Sequence, residues 1–499
     1  MQSPSSTDLL DWLEAAEPDR PWLVDDPGTQ TYRELLRDVR AMAGRFAVLG
    51  IKPGDRVAAQ IGKSRDAVHL YLACLWTGAI YLPLNDGYTA KEVAYFLEDA
   101  EPRLFVVPPG SQHMSDEGMR TETLGVLGEG TLIAVVPAEI GPRPQFPAEQ
   151  VAAMLYTSGT TGNPKGAMLS RGNLASSAAT LVAAWRFTAD DVLIHALPIY
   201  HVHGLFVAIN TVLAAGASMR LLPKFDPDKV IRHFCDSTVM MGVPTYYTRL
   251  LGSAHLTREA LGTMRLFVSG SAPLLTETHR GFETVTGHAI LERYGMTETM
   301  MNTSNPYDGA RIPGTVGPPL PGVSLRVTEP DTGLPLGSDT IGMIEVKGPN
   351  VFKGYWRNLE KTASEFRDDG YFITGDLGKV DALGYVHIIG RSKDLIISGG
   401  LNIYPKDVEE AVDALPGVAE SAVIGVPHPD FGEAVVAVVV GQPDLDEAKM
   451  IAVLKIDLAR FKLPKAIRFV SRLPRNAMGK VQKAALRQTY GMIFSDRGT

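Results

Sequence analysis

Short β-branched runs alternate with longer helical stretches over most of this chain, and that alternation constrains its fold more than any other feature. Alternating strands and helices are typical of α/β domains with largely parallel sheets, because parallel neighbours need a crossover connection. The predicted strands are Leu104–Val107, Thr131–Val136, Val151–Tyr156, Val192–Ala196, Ser218–Leu222, Val239–Val243 and Arg265–Val268. The helices predicted between several of them include Ala90–Asp99, Arg171–Ala184 and Pro227–Cys235.

The character of the sequence changes near Gly317, where short strands and Gly/Pro turns replace the alternation. Gly322–Val327, Gly342–Lys347 and Gly384–Ile389 indicate a small β-rich subdomain. A compact α/β module is then predicted, with helices Pro405–Ala414 and Asp446–Ala459 and strands Val418–Val426 and Glu433–Val440. We therefore expect an α/β protein with a large domain over residues 1–392 and a small carboxyl-terminal domain over residues 393–499.

Charge and cysteine content narrow the class of function. Lys and Arg number 48 against 56 Asp and Glu, a net charge of −8, so no global basic field predicts binding to nucleic acid or to an anionic membrane. Two cysteines, Cys74 and Cys235, are too few for a disulfide scaffold. The amino terminus resembles neither a signal nor a transit peptide, and no apolar run approaches the roughly 20 residues of a membrane span. These features predict a cytoplasmic protein.

The segment Tyr156–Gly166 reads YTSGTTGNPKG and is the most informative stretch of the chain. It follows a predicted strand and precedes a helix predicted to begin near Ser170. Four Ser and Thr hydroxyls, backbone N–H groups freed by glycines and one lysine form a turn that suits the phosphates of a nucleotide. An ordinary polar surface loop is the alternative that composition alone leaves open.

A Walker P-loop is excluded at one residue. That motif needs Ser or Thr after its Gly-Lys pair, because the hydroxyl holds Mg²⁺. Here Lys165 follows Pro164 and precedes Gly166, so the hydroxyl is missing.

The loop instead resembles the phosphate-binding signature of the adenylate-forming enzymes, which include acyl-CoA synthetases, peptide-synthetase adenylation domains and firefly-type luciferases. Four further segments resemble motifs of that superfamily in order and spacing. They are YGMTE from Tyr294, YFITGD from Tyr371, GRSKD from Gly390 and PRNAMGK from Pro474. Five ordered matches over nearly the whole chain identify it as a member of that superfamily, and it most resembles the malonyl-CoA synthetases.

The resemblance implies a set of ATP-binding residues and a magnesium ligand. Thr297 would contact the α-phosphate, and Glu298 would help to hold Mg²⁺ in that motif. Asp376 and Arg391 would bind the ribose. The remaining ATP-binding residues implied are Thr157, Ser158, Gly159, Thr160, Thr161, Gly162 and Lys165 at the phosphates, Ser271, Ala272 and Pro273 at the adenine, and Tyr294.

The resemblance also implies a catalytic lysine and a hinge. Lys480 would reach the carboxylate and the α-phosphate during adenylation, a role that suits a compact ammonium on a flexible stem. Lys393 would be the hinge about which the small domain rotates. Rotation would withdraw Lys480 and bring Ser398, Gly399 and Gly400 toward CoA. Acetylation of Lys480 would remove its charge, so a lysine acetyltransferase and a deacetylase are predicted partners.

Which acid is activated follows less directly from the sequence. The acyl pocket is expected around His203, Arg249, Gly270 and Gly295, and an arginine turned into it would pair with a second carboxylate. That favours malonate, with methylmalonate or a small monocarboxylate as alternatives. An arginine on an amphipathic helix can equally lie on the surface, so this alternative stays open.

Two other classes of function remain to be weighed. A stand-alone adenylation enzyme would load a carrier protein instead of CoA. A non-catalytic nucleotide-binding protein would be expected to have lost motif residues, and all of them are present. The sequence therefore predicts an enzyme that uses ATP, Mg²⁺ and coenzyme A.

Overall fold

A computed structural model describes residues 8–25, 28–111, 119–157, 164–398, 401–476 and 479–494. Its α-helices are α1 (Leu9–Ala15), α2 (Tyr32–Val48), α3 (Arg65–Thr77), α4 (Ala90–Ala100), α5 (Thr131–Ala134), α6 (Arg171–Ala184), α7 (Asn210–Ala215), α8 (Pro227–Arg232), α9 (Pro244–Leu251), α10 (Thr276–Thr286), α11 (Leu359–Ser364), α12 (Pro405–Asp413), α13 (Glu447–Asp457) and α14 (Lys483–Tyr490). A π-helix spans His203–Ile209, and 3₁₀ turns span Phe234–Asp236, Glu259–Leu261 and Ser392–Asp394.

The strands are β1 (Pro21–Asp25), β2 (Gly28–Thr31), β3 (Arg56–Ala59), β4 (Ile80–Pro83), β5 (Leu104–Val107), β6 (Arg120–Thr123), β7 (Val151–Thr157), β8 (Lys165–Ser170), β9 (Val192–His195), β10 (Ser218–Leu221), β11 (Val239–Gly242), β12 (Leu266–Ser269), β13 (Leu291–Tyr294), β14 (Thr303–Ser304), β15 (Ser324–Thr328), β16 (Gly342–Lys347), β17 (Phe372–Val380), β18 (Val386–Arg391), β19 (Ile396–Ser398), β20 (Leu401–Ile403), β21 (Val418–His428), β22 (Gly432–Gly441) and β23 (Ala466–Phe469).

Contacts divide the chain into two compact units. The first comprises Met1–Leu325 and Val346–Phe372, and the second comprises Arg326–Glu345 and Ile373–Thr499. Most of the β-rich stretch therefore groups with the carboxyl-terminal module. The domain boundary that we predict before Lys393 was placed at an expected hinge. A division by contacts does not test a hinge, so this boundary stays a prediction.

Two parallel-rich sheets form the first unit. An eight-stranded sheet has the order β14-β13-β12-β11-β9-β10-β1-β2, with antiparallel pairs only at its two edges. A six-stranded sheet has the order β6-β5-β3-β4-β7-β8, parallel except for the last pair. Ligands of open α/β sheets bind at the carboxyl ends of the strands. The ends of β7, β12 and β13 are where the predicted motifs begin.

The second unit contains mainly antiparallel pairs. A four-stranded sheet has the order β15-β16-β17-β18, and a second sheet has the order β20-β19-β22-β21 with β23 parallel to β22. The long β21/β22 hairpin buries alternate residues on two hydrophobic clusters, one under α12 and α13 and one under α14. The predicted α/β class with parallel-rich sheets, a β-rich subdomain and a small α/β domain is confirmed.

Two local predictions were wrong, and one strand was not predicted. Thr131–Val136 is not a strand: residues Thr131–Ala134 form a helical turn in which Leu132 is buried, and Val136 is 80% exposed, so the apolar run has no sheet to cover it. The helix predicted over Pro227–Cys235 ends at Arg232 and continues only as a 3₁₀ turn. Strand β8 lies between the phosphate loop and α6, so the loop is followed by a strand before the helix begins.

The helices near the predicted site begin at identifiable caps. Ser170 and Asn173 form reciprocal hydrogen bonds at the start of α6, which satisfies two backbone N–H groups. Pro244 is the first residue of α9. The helix buries Tyr247 and Leu250, whereas Thr248 and Arg249 between them are exposed. In the described part of the chain, none of the helices combines the length and apolar character that a bilayer crossing requires.

Candidate active site

The strands that flank the phosphate loop bring Thr157 and Lys165 together. They are paired across the antiparallel β7/β8 ladder. Ser158, Gly159, Thr160, Thr161 and Gly162 lie outside the described residues, so their predicted phosphate contacts stay predictions. The Thr157 hydroxyl donates to Glu298 Oε1 at 3.1 Å, which joins two predicted site residues 141 positions apart.

Glu298 is buried and is surrounded by hydroxyl groups. The Tyr355 hydroxyl lies 3.2 Å from the same Oε1 atom and 2.6 Å from Glu365 Oε2. Burial, with the charge of Glu298, raises the pKa of Tyr355, so its hydroxyl keeps its proton. Sequence reasoning missed Tyr355 and Glu365, because only the fold brings them to the nucleotide motif.

A single buried carboxylate beside a phosphate loop suits Mg²⁺, which usually takes one or two carboxylates together with substrate phosphates. No group of three or more His, Cys, Asp or Glu side chains suited to a metal occurs among the described residues. Glu298 therefore fits a magnesium ion that ATP brings with it.

Lys165 places positive charge beside this carboxylate. Its ammonium lies 5.4 Å from the centre of the Tyr355 ring. Loss of hydration, and then the charge of Lys361, lower the pKa of Lys165, whereas Glu365 and Glu298 raise it. The cation thus lies near an aromatic face and within the field of two carboxylates, and bound phosphates would raise its pKa further and favour its charged form.

The predicted acyl residues His203 and Gly270 come together in the first unit with Ser271. His203 opens the buried π-helix, a form that is rare and often found at functional sites. Its Nδ1 atom lies 3.2 Å from the Ser271 hydroxyl. Ser271 has a φ of 72°, a strained value for a residue with a side chain. Burial, and then the charge of Arg293, hold the pKa of His203 far below its ordinary value, so the imidazole is neutral.

Arg293 lies with His203 and Gly270, and sequence reasoning missed it. It lies on β13, directly before the YGMTE motif, and is only 3% exposed. Its Nε and Nη2 atoms have no hydrogen-bond partner among the residues that the structure describes. Burial lowers the pKa of Arg293 to about 9. An arginine at the end of an otherwise buried strand was the available signal, and a buried guanidinium calls for an anion.

Tyr294 ends β13 and, with Gly295, begins the YGMTE motif. A Cβ atom at residue 295 would lie 1.9 Å from the carbonyl oxygen of Met300, so the turn requires glycine. Tyr294 and Thr297 are half-buried in this turn, as is Ala272 in the predicted adenine wall, and Pro273 is exposed. Their contacts with ATP stay predictions.

Arg249 stands apart from the buried wall. It lies in the last turn of α9 and is exposed. Its charge acts on Tyr246, whose ring stacks on Phe225 with centroids 3.8 Å apart. The structure thus favours the surface alternative for Arg249, although its part in substrate binding stays untested.

The second unit groups the predicted ribose residues. Arg391 Nε lies 2.8 Å from Asp376 Oδ1, and Arg391 Nη1 donates to the Thr374 carbonyl. Asp376 lies within β17, where it pairs with Arg391 of β18 beside a register shift. The positive φ of Gly375, 71°, turns the backbone just before it.

Lys480 belongs to the same electrostatic group. Loss of hydration lowers the pKa of the Lys480 ammonium, and the charge of Arg391 adds to the effect. Asp376 and Asp394 act in the opposite direction. Lys393 lies in the 3₁₀ turn that follows Arg391, and Ser398 ends β19. Gly399 and Gly400 lie outside the described residues.

Two family models together match most of the chain. Residues 10–356 match the AMP-binding enzyme family, and residues 407–480 match its carboxyl-terminal domain. The chain belongs to the AMP-binding enzyme family. It is an acid–thiol ligase of the AMP-forming acyl-CoA synthetase class.

Individual relatives cover nearly the whole chain. A malonate–CoA ligase of Arabidopsis thaliana is 34% identical over 89% of this chain and 79% of its own length. A feruloyl-CoA synthase of a Streptomyces species is also 34% identical, over 92% and 94% respectively. The crystal structure of ATP-bound MatB from Rhodopseudomonas palustris is 56% identical, with a TM-score of 0.95 over 98% of this chain and 99% of that one.

Proposed function

We propose that this enzyme joins malonate to CoA through an acyl-adenylate and releases AMP and pyrophosphate. The observation that carries the choice of acid is Arg293, a buried guanidinium with two nitrogen atoms unpartnered among the described residues. One carboxylate of malonate would be adenylated, and the other would pair with Arg293. The malonate–CoA ligases of A. thaliana and Mus musculus, each 34% identical to this chain, support the proposal.

The physical reason is the cost of a buried charge without a partner. A guanidinium offers two parallel N–H donors that match a carboxylate, and such charge-assisted bonds are about twice as strong as neutral ones. A monocarboxylate would leave Arg293 unpaired, so the pocket discriminates against it. His203 is neutral, so its imidazole can accept or donate a hydrogen bond without adding a second positive charge beside Arg293.

The remaining residues would serve the adenylation of the first carboxylate. Both reactants are anions, so the site must supply positive charge and hold them in line. Lys165 would hold the outer phosphates with Thr157 and the loop that follows, and Lys480 would bind the carboxylate and α-phosphate. Glu298 would hold Mg²⁺, which neutralises phosphate charge when bound.

Two arginine variants test the choice of acid. Arg293→Met keeps much of the side-chain volume and removes the charge, and Arg249→Met makes the same change on the exposed arginine. We expect Arg293→Met to lower kcat/KM for malonate by roughly two to four powers of ten, since breaking a buried ion pair costs about 3–5 kcal/mol. Activity with propionate and butyrate should fall far less or rise.

The comparison with Arg249→Met decides which arginine binds the second carboxylate. We expect that variant to keep malonate activity within about tenfold, as for an exposed charge. The reverse ranking would assign the carboxylate to Arg249. A wild-type enzyme that prefers acetate or a medium-chain acid to malonate would overturn the proposal.

Thioester formation would be measured once with CoA and once with a carrier protein as the acceptor. The comparison separates a CoA ligase from an enzyme that loads a carrier protein. Methylmalonate carries the same two carboxylates and is expected as a weaker substrate. Formation of ADP and phosphate as products would contradict an acyl-adenylate.

The proposal has three further parts. They are a hinge at Lys393, CoA contacts of Ser398, Gly399 and Gly400, and control of the enzyme by acetylation of Lys480.

A further inference from the structure

One tyrosine hydroxyl in the first unit lies between two carboxylates. Tyr355 Oη is 3.2 Å from Glu298 Oε1 and 2.6 Å from Glu365 Oε2. A phenol has one proton, so it donates to one of the two at a time. Glu298 Oε1 accepts from the hydroxyl when the proton points away from Glu365, and the 2.6 Å contact with Glu365 keeps the phenol oxygen in place between the two carboxylates.

The tyrosine itself is fixed on several sides. Its backbone N–H donates to Thr362 Oγ1 at 2.9 Å, and its ring packs edge-on against Phe352. Glu365 is held in turn by Lys361, with 2.6 Å between Nζ and Oε1. These contacts fix the position of the tyrosine and keep its hydroxyl next to the Glu298 carboxylate.

We propose that Tyr355 is a positioning residue that sets the orientation of the Glu298 carboxylate for magnesium-bound ATP, and that Glu365 anchors its hydroxyl. The inference rests on the proposed function, in which Glu298 is the protein's ligand to Mg²⁺. Mg²⁺ demands near-ideal octahedral geometry, so a carboxylate held in one orientation binds it with less reorganisation. Partners behind a metal ligand commonly tune affinity in this way.

Direct binding of ATP to the full-length Tyr355→Phe protein tests the inference without acid or CoA. Calorimetry would be run with excess Mg²⁺ and again with excess EDTA. We expect the variant to bind ATP about three- to tenfold more weakly in Mg²⁺, the effect of one hydrogen bond. In EDTA the change should stay below about twofold. The Mg²⁺ concentration that gives half-maximal binding should rise in parallel.

Tyr32→Phe is the matched control. Its hydroxyl is also buried and donates to the Ala217 carbonyl at 2.7 Å, on a wall of the first unit that holds none of the predicted site residues. The control loses a buried hydroxyl of the same kind, so it should bind ATP as the wild type does under both conditions. Equal weakening in Mg²⁺ and EDTA by Tyr355→Phe would indicate general damage and overturn the inference.

Glu365 supplies a second test that holds even if Tyr355→Phe does not fold. Glu365→Leu removes the anchor and should raise the Mg²⁺ requirement, whereas Glu365→Gln keeps an acceptor oxygen and should restore it to within about twofold. The double variant Tyr355→Phe/Glu365→Leu should be no weaker than Tyr355→Phe, because Glu365 acts through the hydroxyl. Additive losses would overturn the inference.

The outcomes separate this inference from the proposed function. A wild-type protein that does not bind ATP in Mg²⁺ would contradict both. If the wild type binds and Tyr355→Phe binds equally well in Mg²⁺, only the role of Tyr355 fails.

Discussion

A Cβ atom at residue 270 would stand 2.5 Å from the guanidinium carbon of Arg293. The absence of a side chain at Gly270 is therefore what allows Arg293 to lie across the carboxyl end of β12. Glycine was expected here as an acyl-pocket residue, and the structure supplies a reason for it. A Cβ atom essentially never comes this close to another non-hydrogen atom, so any larger residue must move the arginine.

Gly270→Ala is expected to displace the guanidinium and to mimic part of the Arg293→Met effect. We expect kcat/KM for malonate to fall by about tenfold or more, since misplacement by about 1 Å can cost that much. Activity with propionate should change less. Steady-state kinetics with both acids give the ratio, and an equal loss for both would mean that the methyl group blocks the pocket itself.

Lys480→Ala is expected to abolish pyrophosphate exchange while thioester formation from supplied acyl-adenylate survives. The pKa of Lys480 lies below its ordinary value of 10.5, so its charge is lost as pH rises through that lowered value. Pyrophosphate exchange should therefore decline on the alkaline side at a lower pH than a free lysine would give. Rate profiles of the two half-reactions check this, and a shared alkaline decline would speak against a role confined to adenylation.

Asp8→Asn is expected to destabilise the first unit by about 3 kcal/mol, the cost of breaking a buried ion pair. Asp8 Oδ2 lies 3.1 Å from Arg143 Nη1 and 2.5 Å from Arg171 Nη2, and both arginine side chains are 2% exposed. Asp11 also pairs with Arg143 but is 42% exposed, so Asp11→Asn should cost less than about 1 kcal/mol. Thermal unfolding of the two variants measures the contrast, and equal shifts would contradict it.

Acid is expected to destabilise the protein through His195. Burial lowers the pKa of His195 to about 3, from 6.5. As pH falls below 6.5, the unfolded chain takes up a proton that the folded chain does not, so stability drops by about 1.4 kcal/mol per pH unit. The thermal midpoint of His195→Gln should fall less steeply between pH 7 and pH 5 than that of the wild type. Parallel declines would assign the acid sensitivity to other groups.

For several elements, the first and last residues could be predicted from the sequence. Strands β5 and β16 and helix α6 match their predicted bounds, because strand runs and helix caps are written in neighbouring residues. Strand β8 was missed because its six residues adjoin a capped helix, and its pairing with β7 depends on the intervening loop. Thr131–Val136 is typical of a strand by its local sequence, but none of the strands that the structure describes pairs with it.

The sequence by itself determined the family, the order of the motifs and the chemistry of adenylation, since each motif is a contiguous set of residue types. Only the tertiary structure decided which side chains lie together: Thr157 with Glu298, Tyr355 between Glu298 and Glu365, and Arg293 beside Gly270 and His203. Burial and hydrogen-bond partners arise from residues far apart in the chain. An arginine therefore becomes a candidate carboxylate ligand only when the fold removes it from water without giving it a full set of partners.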